Sequence, residues 1–225
     1  IKNSTLTGNL GTMELNGTNY YAANDLWVGG NVYVTVENST IGTVFVNSAP
    51  SATATNGVVH GQLTITGENT KITYLSGEEE SSEKVDKFGN NGSLVKIDNG
   101  SVDTIVDMGS YAISGGTFKT AVKKEWCAAG YVPADKGNGT YGVEEGKFTV
   151  KVTSRTTTSD SPVANVSGGG SDITYAVGTT VTASSISGYN FVGWFVDGYT
   201  DTATAYSKDL TCTVKPTGDC TMVAV

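Results

Sequence analysis

Two eleven-residue stretches, VTVENSTIGTV at 34–44 and VKIDNGSVDTI at 95–105, read as one template. Position by position it runs apolar, polar, apolar, acidic, Asn, small, hydroxyl, apolar, any, Thr, apolar. Its compact core recurs at Ile1–Leu6, Val36–Ile41, Ile97–Val102 and Ile113–Phe118, and a stretched version fills Ile65–Ile72. The apolar residue that closes each unit falls at Leu6 or Leu10, Ile41, Ile72 and Val102, which from Leu10 gives steps of 31, 31 and 30 residues. Self-similarity at a fixed step of this size is how a repeat architecture is written in a sequence.

The period inside each unit identifies the building block. Val32, Val34 and Val36 alternate with polar residues, as do Leu63 with Ile65 and Val95 with Ile97. A two-residue period is that of a strand. The Asn-Ser/Gly-Ser/Thr segment then turns the chain, because Asn and Gly tolerate left-handed backbone and hydroxyls bond locally. A short second strand follows, Ile41–Val44 or Val102–Ile105. Strand, corner, strand and longer loop at a constant step predict an all-β parallel β-helix of about four to five coils, stacked at about 4.8 Å into a stalk of roughly 20–25 Å. An antiparallel sandwich of similar strands is the competing arrangement; it needs turn signals every 8–12 residues or so but no self-similarity at this longer step.

After Phe118 the pattern stops. Residues Ala121 to Ala128 favour a helix that Gly130 would end, and the expectation is a short capping helix over the last coil with Trp126 as its lid. From Gly146 the texture changes to strands separated by Gly and Asp turns, predicting a small antiparallel β domain. The expected boundaries are 1–145 and 146–225. In the segment GYNFVGWFV, alternation would put Tyr189, Phe191 and Phe195 on one face and Val192, Trp194 and Val196 on the other, with Trp194 in the core.

Charge narrows the partners. The net charge is −8, with 16 acids against 9 lysines up to Glu145 and 6 acids against 5 basic residues after it. With Arg155 as the single arginine and no basic stripe, no nucleic-acid partner is expected. The run Glu78, Glu79, Glu80, Glu83 reads as a solvated loop, with a cation site as the alternative. No apolar stretch of about 18 residues occurs, so no membrane span is expected in this segment. Any export signal or wall anchor would lie outside it. Three cysteines without metal spacing are no disulfide scaffold. Cys212 and Cys220 flank TVKPTGD, and both a disulfide across a hairpin and two buried thiols fit that placement.

Candidate sites are sparse. Among the unrepeated excursions, 16–31 carries Tyr20, Tyr21 and Trp27, whose aromatic faces suit a glycan, or which cover the side of the stack. A polysaccharide lyase on this frame would need a strong base beside acids, for which Lys96 and Lys71 are the candidates. Asp98, Asp103 and Asp107 cluster in sequence, but Asp98 repeats the corner position of Glu37 and reads as turn chemistry. His60, the single histidine, is expected at a loop or strand edge. No catalytic residue, metal ligand or cofactor is assigned.

Two family resemblances add to this. The words Ile113–Phe118 (ISGGTF), Cys127–Tyr131 (CAAGY) and Asn138–Val143 (NGTYGV) resemble the segment that closes right-handed β-helix regions in large secreted proteins of gut anaerobic bacteria. The words YAVGTTV from Tyr175, GYNFVGW from Gly188 to Trp194, and the final TMVAV are similar to the internalin-type B-repeat family and its Listeria–Bacteroides relatives, across most of 146–225. The second departs from that family by ending at Val225. Together they imply an extracellular, non-catalytic piece of a bacterial cell-surface protein, adhesin- or stalk-like, meeting an extracellular protein or glycan. The alternatives are a glycan-binding accessory module of a carbohydrate-active enzyme and a polysaccharide lyase. Self-association through an uncapped first coil at Ile1 is also expected.

Overall fold

β-Branched and aromatic residues at every second position leave little room for helix, and the chain is all-β. The computed structural model describes residues 1–7, 12–15, 18–21, 25–29, 32–50, 58–77, 94–105 and 110–225, with the backbone alone at 12–15, 18–21, 47–50, 58–60 and 77. The chain divides into two units, Ile1–Glu144 and Glu145–Val225.

In the first unit the strands are β1 (Thr5–Leu6), β2 (Thr12–Leu15), β3 (Thr18–Tyr21), β4 (Leu26–Gly29), β5 (Tyr33–Glu37), β6 (Thr40–Pro50), β7 (Val58–His60), β8 (Gln62–Thr66), β9 (Lys71–Gly77), β10 (Leu94–Ile97), β11 (Ser101–Ile105), β12 (Ser110–Ile113), β13 (Thr117–Phe118), β14 (Tyr131–Asp135) and β15 (Tyr141–Glu145). One sheet has the order β5-β8-β10-β12, every neighbour parallel. The other runs β1-β6-β9-β11-β13 in parallel; it is a mixed sheet, because β7 and β15 join it antiparallel. The two copies of the repeated phrase, β5–β6 and β10–β11, are thus separated in each sheet by β8 and β9.

Register carries the apolar residues into rows. Val34, Leu63, Val95 and Tyr111 align in the first sheet, and so do Val36, Ile65, Ile97 and Ile113. In the second, Leu6, Ile41, Ile72, Val102 and Phe118 form one row, and Leu26, Val44, Leu75 and Ile105 another. Most of these side chains belong to one buried core, with Val36, Ile41, Ile65, Ile97 and Ile113 fully enclosed. Removing each from water contributes about 1.5–3 kcal/mol. Leu6, not Leu10, closes the first row, so the regular step does not hold at that end.

The corners between the two sheets explain the polar letters of the template. Asn3 and Asn38 adopt φ of +51° and +48°, the left-handed geometry Asn tolerates. At the next positions the carbonyls of Ser4, Ser39, Thr70 and Gly100 accept hydrogen bonds from the amides of Thr40, Lys71, Ser101 and Thr117 at 2.8–2.9 Å. Two of the hydroxyls are enclosed: Ser39 Oγ donates to the Glu37 carbonyl at 2.9 Å, and Thr70 Oγ1 donates to that of Thr66. A buried hydroxyl must find such a partner, and these find it in the turn they close. Where Gly115 passes the corner of the preceding strand, a Cβ would lie 2.0 Å from the Asp98 carbonyl oxygen, so only glycine fits.

The expected capping helix is absent from the described residues. A single 3₁₀ turn, Lys124–Trp126, stands in its place, with extended backbone on both sides at Lys123 and Cys127. Eight helix-favouring residues cannot offset the cost of nucleating an isolated α-helix. The amides of Ala128 and the Ile113–Cys127 bridge instead continue the strand pairing, and β15 pairs the edge of β13 through Phe118 and Tyr141. Trp126 is buried against Tyr111, ring centroids 5.4 Å apart.

In the second unit the strands are β16 (Phe148–Ser154), β17 (Val166–Gly168), β18 (Gly170–Ile173), β19 (Thr179–Ala183), β20 (Trp194–Val196), β21 (Thr211–Val214) and β22 (Cys220–Ala224). They form two sheets, β18-β16-β22-β20 and β17-β19-β21. The domain is not wholly antiparallel: its first and last strands, β16 and β22, pair in parallel. The long path from Ser154 to Cys220 permits this, since parallel neighbours need a crossover. Trp194 is fully buried and its Nε1 donates to the Leu210 carbonyl at 3.3 Å. Phe195 is buried as well, on the opposite face as alternation expects: it packs with Val223 and Val225 in a separate cluster, while Trp194 packs with Val150, Val181 and Met222. The expectation fails at Phe191, which joins Trp194 rather than Phe195, ring centroids 6.1 Å apart.

Candidate functional site

On β4, β6 and β9, inward and outward side chains separate cleanly. Val28, Val44, Val46, Ile72 and Leu75 are buried, whereas Trp27 is 66 % exposed, Tyr74 40 % exposed and Phe45 half-buried. Trp27 stands directly opposite Phe45 in the ladder, and Tyr74 stands opposite Thr43, two residues along β6 from Phe45. Three aromatic residues therefore mark a strip across the outer face of the sheet, spanning two strand spacings or about 10 Å. Ser76, opposite Phe45, and Thr104, opposite Tyr74, put hydroxyls beside it. The negative faces of aromatic rings attract the polarised C–H bonds of a sugar face, and hydroxyls at the margin can bond its O–H groups.

Local chemistry explains the strip's position. The alternation Leu26-Trp27-Val28 makes a strand of what the sequence suggested as loop, and burying Val28 turns Trp27 outward. Asp25, immediately before β4, fixes the approach: its Oδ2 accepts from the Thr43 amide at 2.8 Å, and occupies the space a Cβ on Gly42 would need.

Tyr20 and Tyr21 lie on β3, which pairs with β2 in a separate hairpin; their side chains fall outside the described residues, as does that of His60 on β7. The acidic run 78–83 and Asp107 also lie outside them. Phe45 and Tyr74 were not singled out from the sequence. Their signal was the register: both sit beside the second-strand row of Val44 and Leu75, at outward positions that only the paired strands identify.

The proposed lyase groups are dispersed. Lys96 lies on the outer face of the first sheet and Lys71 on that of the second, both exposed. Asp98 sits in the corner and accepts from Ser114 Oγ at 2.9 Å, and Asp103 forms an ion pair with Lys119. Among the described residues no three His, Cys, Asp or Glu side chains gather as metal ligands, and no helix is long and apolar enough to cross a membrane.

All three cysteines are free thiols. Cys212 on β21 pairs with Val181, and Cys220 on β22 pairs with Val150, so the two sit in different sheets and the expected hairpin between them does not form. Burial pushes all three thiols up; Glu125 adds to this at Cys127, where Lys124 opposes it, and Asp197 and Asp219 add to it at Cys220.

No family model, curated protein or solved structure matches this chain.

Proposed function

We propose that this chain is a non-catalytic piece of an exported bacterial cell-surface protein, in which a short parallel β-helix stalk presents an adhesive face and is followed by a B-repeat-like spacer. The observation that carries the reading is the set of in-register apolar rows, joined by corners of one chemistry and bearing the Trp27–Phe45–Tyr74 strip outside. Parallel strands with the same corner repeated make a stiff support, the property a stalk needs. The strip favours a glycan over a protein as the contacted partner, since the exposed Trp27 and Tyr74 rings share the outer face of the sheet with hydroxyls at the margin. The same strip supports a second reading, a glycan-binding accessory module of a larger carbohydrate-active enzyme. A lyase is the least supported, because Lys96, Lys71, Asp98 and Asp103 do not converge. Binding to a glycan array that falls with both Trp27→Ala and Tyr74→Ala supports the strip. Release of unsaturated sugars, abolished by Lys96→Ala, would replace the non-catalytic reading.

A further inference from the structure

The second unit contains an open groove of about 620 Å³, independent of the aromatic strip. One wall is the loop Arg155–Ser159, and the other is Ser184–Ile186 with Gly188–Val192. Among the described residues Arg155 is the only charged side chain lining it, and it is the only arginine of the chain. Tyr189 opens its ring to solvent at 58 % exposure, and Phe191 is half-buried behind it.

Arg155 is held from several sides. Its amide donates to the Ala224 carbonyl at 2.9 Å, its Nε donates to the Thr156 carbonyl at 2.9 Å, and its guanidinium lies 5.6 Å from the Tyr199 ring centroid. The loop is pinned by Ser154, whose buried Oγ accepts from the Val163 and Ala164 amides. Among the described residues one carboxylate meets the guanidinium, that of Asp160, 2.6 Å from Nη1. The two partners differ sharply: the Arg155 side chain is 20 % exposed and that of Asp160 is 88 % exposed. A fixed guanidinium thus faces a carboxylate that is almost wholly in water, and Nη2 takes part in neither of these polar contacts.

We propose that this groove binds a carboxylate-bearing sugar chain, with Arg155 as its anion partner and Asp160 as an internal competitor that an incoming carboxylate displaces. Charge argues for an acidic ligand: the groove's one charged side chain is positive, and this part of the chain has almost no acid excess. Hydroxyls from Thr158, Ser159, Ser184 and Ser185 can bond the O–H groups of a sugar chain, and the Tyr189 ring with apolar lining such as Val163, Ile186 and Leu210 can meet its C–H faces. A guanidinium can engage a ligand carboxylate through two parallel N–H bonds, whereas the exposed pair with Asp160 contributes little.

The test is titration calorimetry on the full chain with trigalacturonate and with sialyllactose, each beside its methyl ester. At least one free acid binds, its ester does not, and Asp160→Asn tightens binding by about two- to fivefold, as expected for removing a competitor worth up to about one exposed ion pair. Arg155→Gln abolishes binding, and Tyr189→Ala, at an exposed position that leaves the fold intact, weakens it. Which acid binds separates uronate from sialate ligands. Failure of both acids to bind Asp160→Asn, equal binding of acid and ester, or no effect of Asp160→Asn overturns the proposal. None of these outcomes depends on Trp27, so the strip's fate is decided separately.

Discussion

Gly115→Ala probes a very close approach between neighbouring strands of the first unit. A Cβ there would stand 2.0 Å from the Asp98 carbonyl oxygen and 2.9 Å from its carbon, against a practical lower limit of 3.0 Å. Both contacts are backbone, so no side chain can swing aside. Relief requires the 114–116 segment to move by roughly 1 Å, which breaks or stretches the bonds from the Ser114 and Gly115 amides to the Ile97 carbonyl, at 2.9 and 3.2 Å. Each contributes about 0.5–1.5 kcal/mol, and loosening of the packing around Ile113 and Phe118 costs about 1–3 kcal/mol more. The expected loss is about 3 kcal/mol, or roughly 150-fold faster exchange of the most protected amides in β10–β13. Peptide-resolved hydrogen exchange reads this in the first unit separately from the second. Gly218→Ala is the control: nothing lies within 4 Å of its Cβ, and it should be neutral or slightly stabilising. A Gly115→Ala protein whose β10–β13 amides slow or change less than about twofold would refute the close packing of these layers.

Other perturbations test separate parts of the account. Thr70→Val keeps the shape of an enclosed side chain but leaves the Thr66 carbonyl without its donor, and should cost about 1–3 kcal/mol in thermal unfolding, with Thr70→Ser clearly milder. Gly42→Ala should displace the Asp25 carboxylate from the Thr43 amide, and faster exchange at that amide would register it. Reductant should leave the melting temperature unchanged, because no disulfide links Cys212 and Cys220. Their thiols are raised in the folded chain, so the stability they contribute is complete below the unfolded thiol pKa and is lost as pH rises through the folded one. Thiol alkylation of the second unit should correspondingly be slow at neutral pH and accelerate in alkali.

The strands and corners of the first unit were legible in the sequence because one chemical rule generates both. A two-residue apolar period defines the strand, and an Asn or Gly with a neighbouring hydroxyl defines the corner, as Asn38 and Ser39 show. What register alone decides was not legible. Trp27 read as part of a loop until β4 was seen to pair with β6, and Phe45 and Tyr74 have no local pattern that marks them as its neighbours. The 3₁₀ turn at Lys124–Trp126 shows helix propensity losing to strand continuation at Cys127. In the second unit, Trp194 was readable as core from its size and apolar setting. The burial of Phe195 beside it was not, because two clusters flank β20. Cys212 and Cys220 misled for a similar reason: nearness along the chain says nothing about which sheet each strand joins, and β22 leaves for β16.

The parallel register of β5, β8 and β10 is one half of the frame of the proposed stalk, the other half being the sheet of β6 and β9 that bears the aromatic strip. Cross-strand nuclear Overhauser contacts in a uniformly labelled sample test it most directly. The account predicts contacts linking Thr35 to Thr64 and Thr64 to Lys96, without the short Hα–Hα contacts of antiparallel pairs. Direct contacts between Thr35 and Lys96, or strong Hα–Hα contacts between these strands, would contradict it.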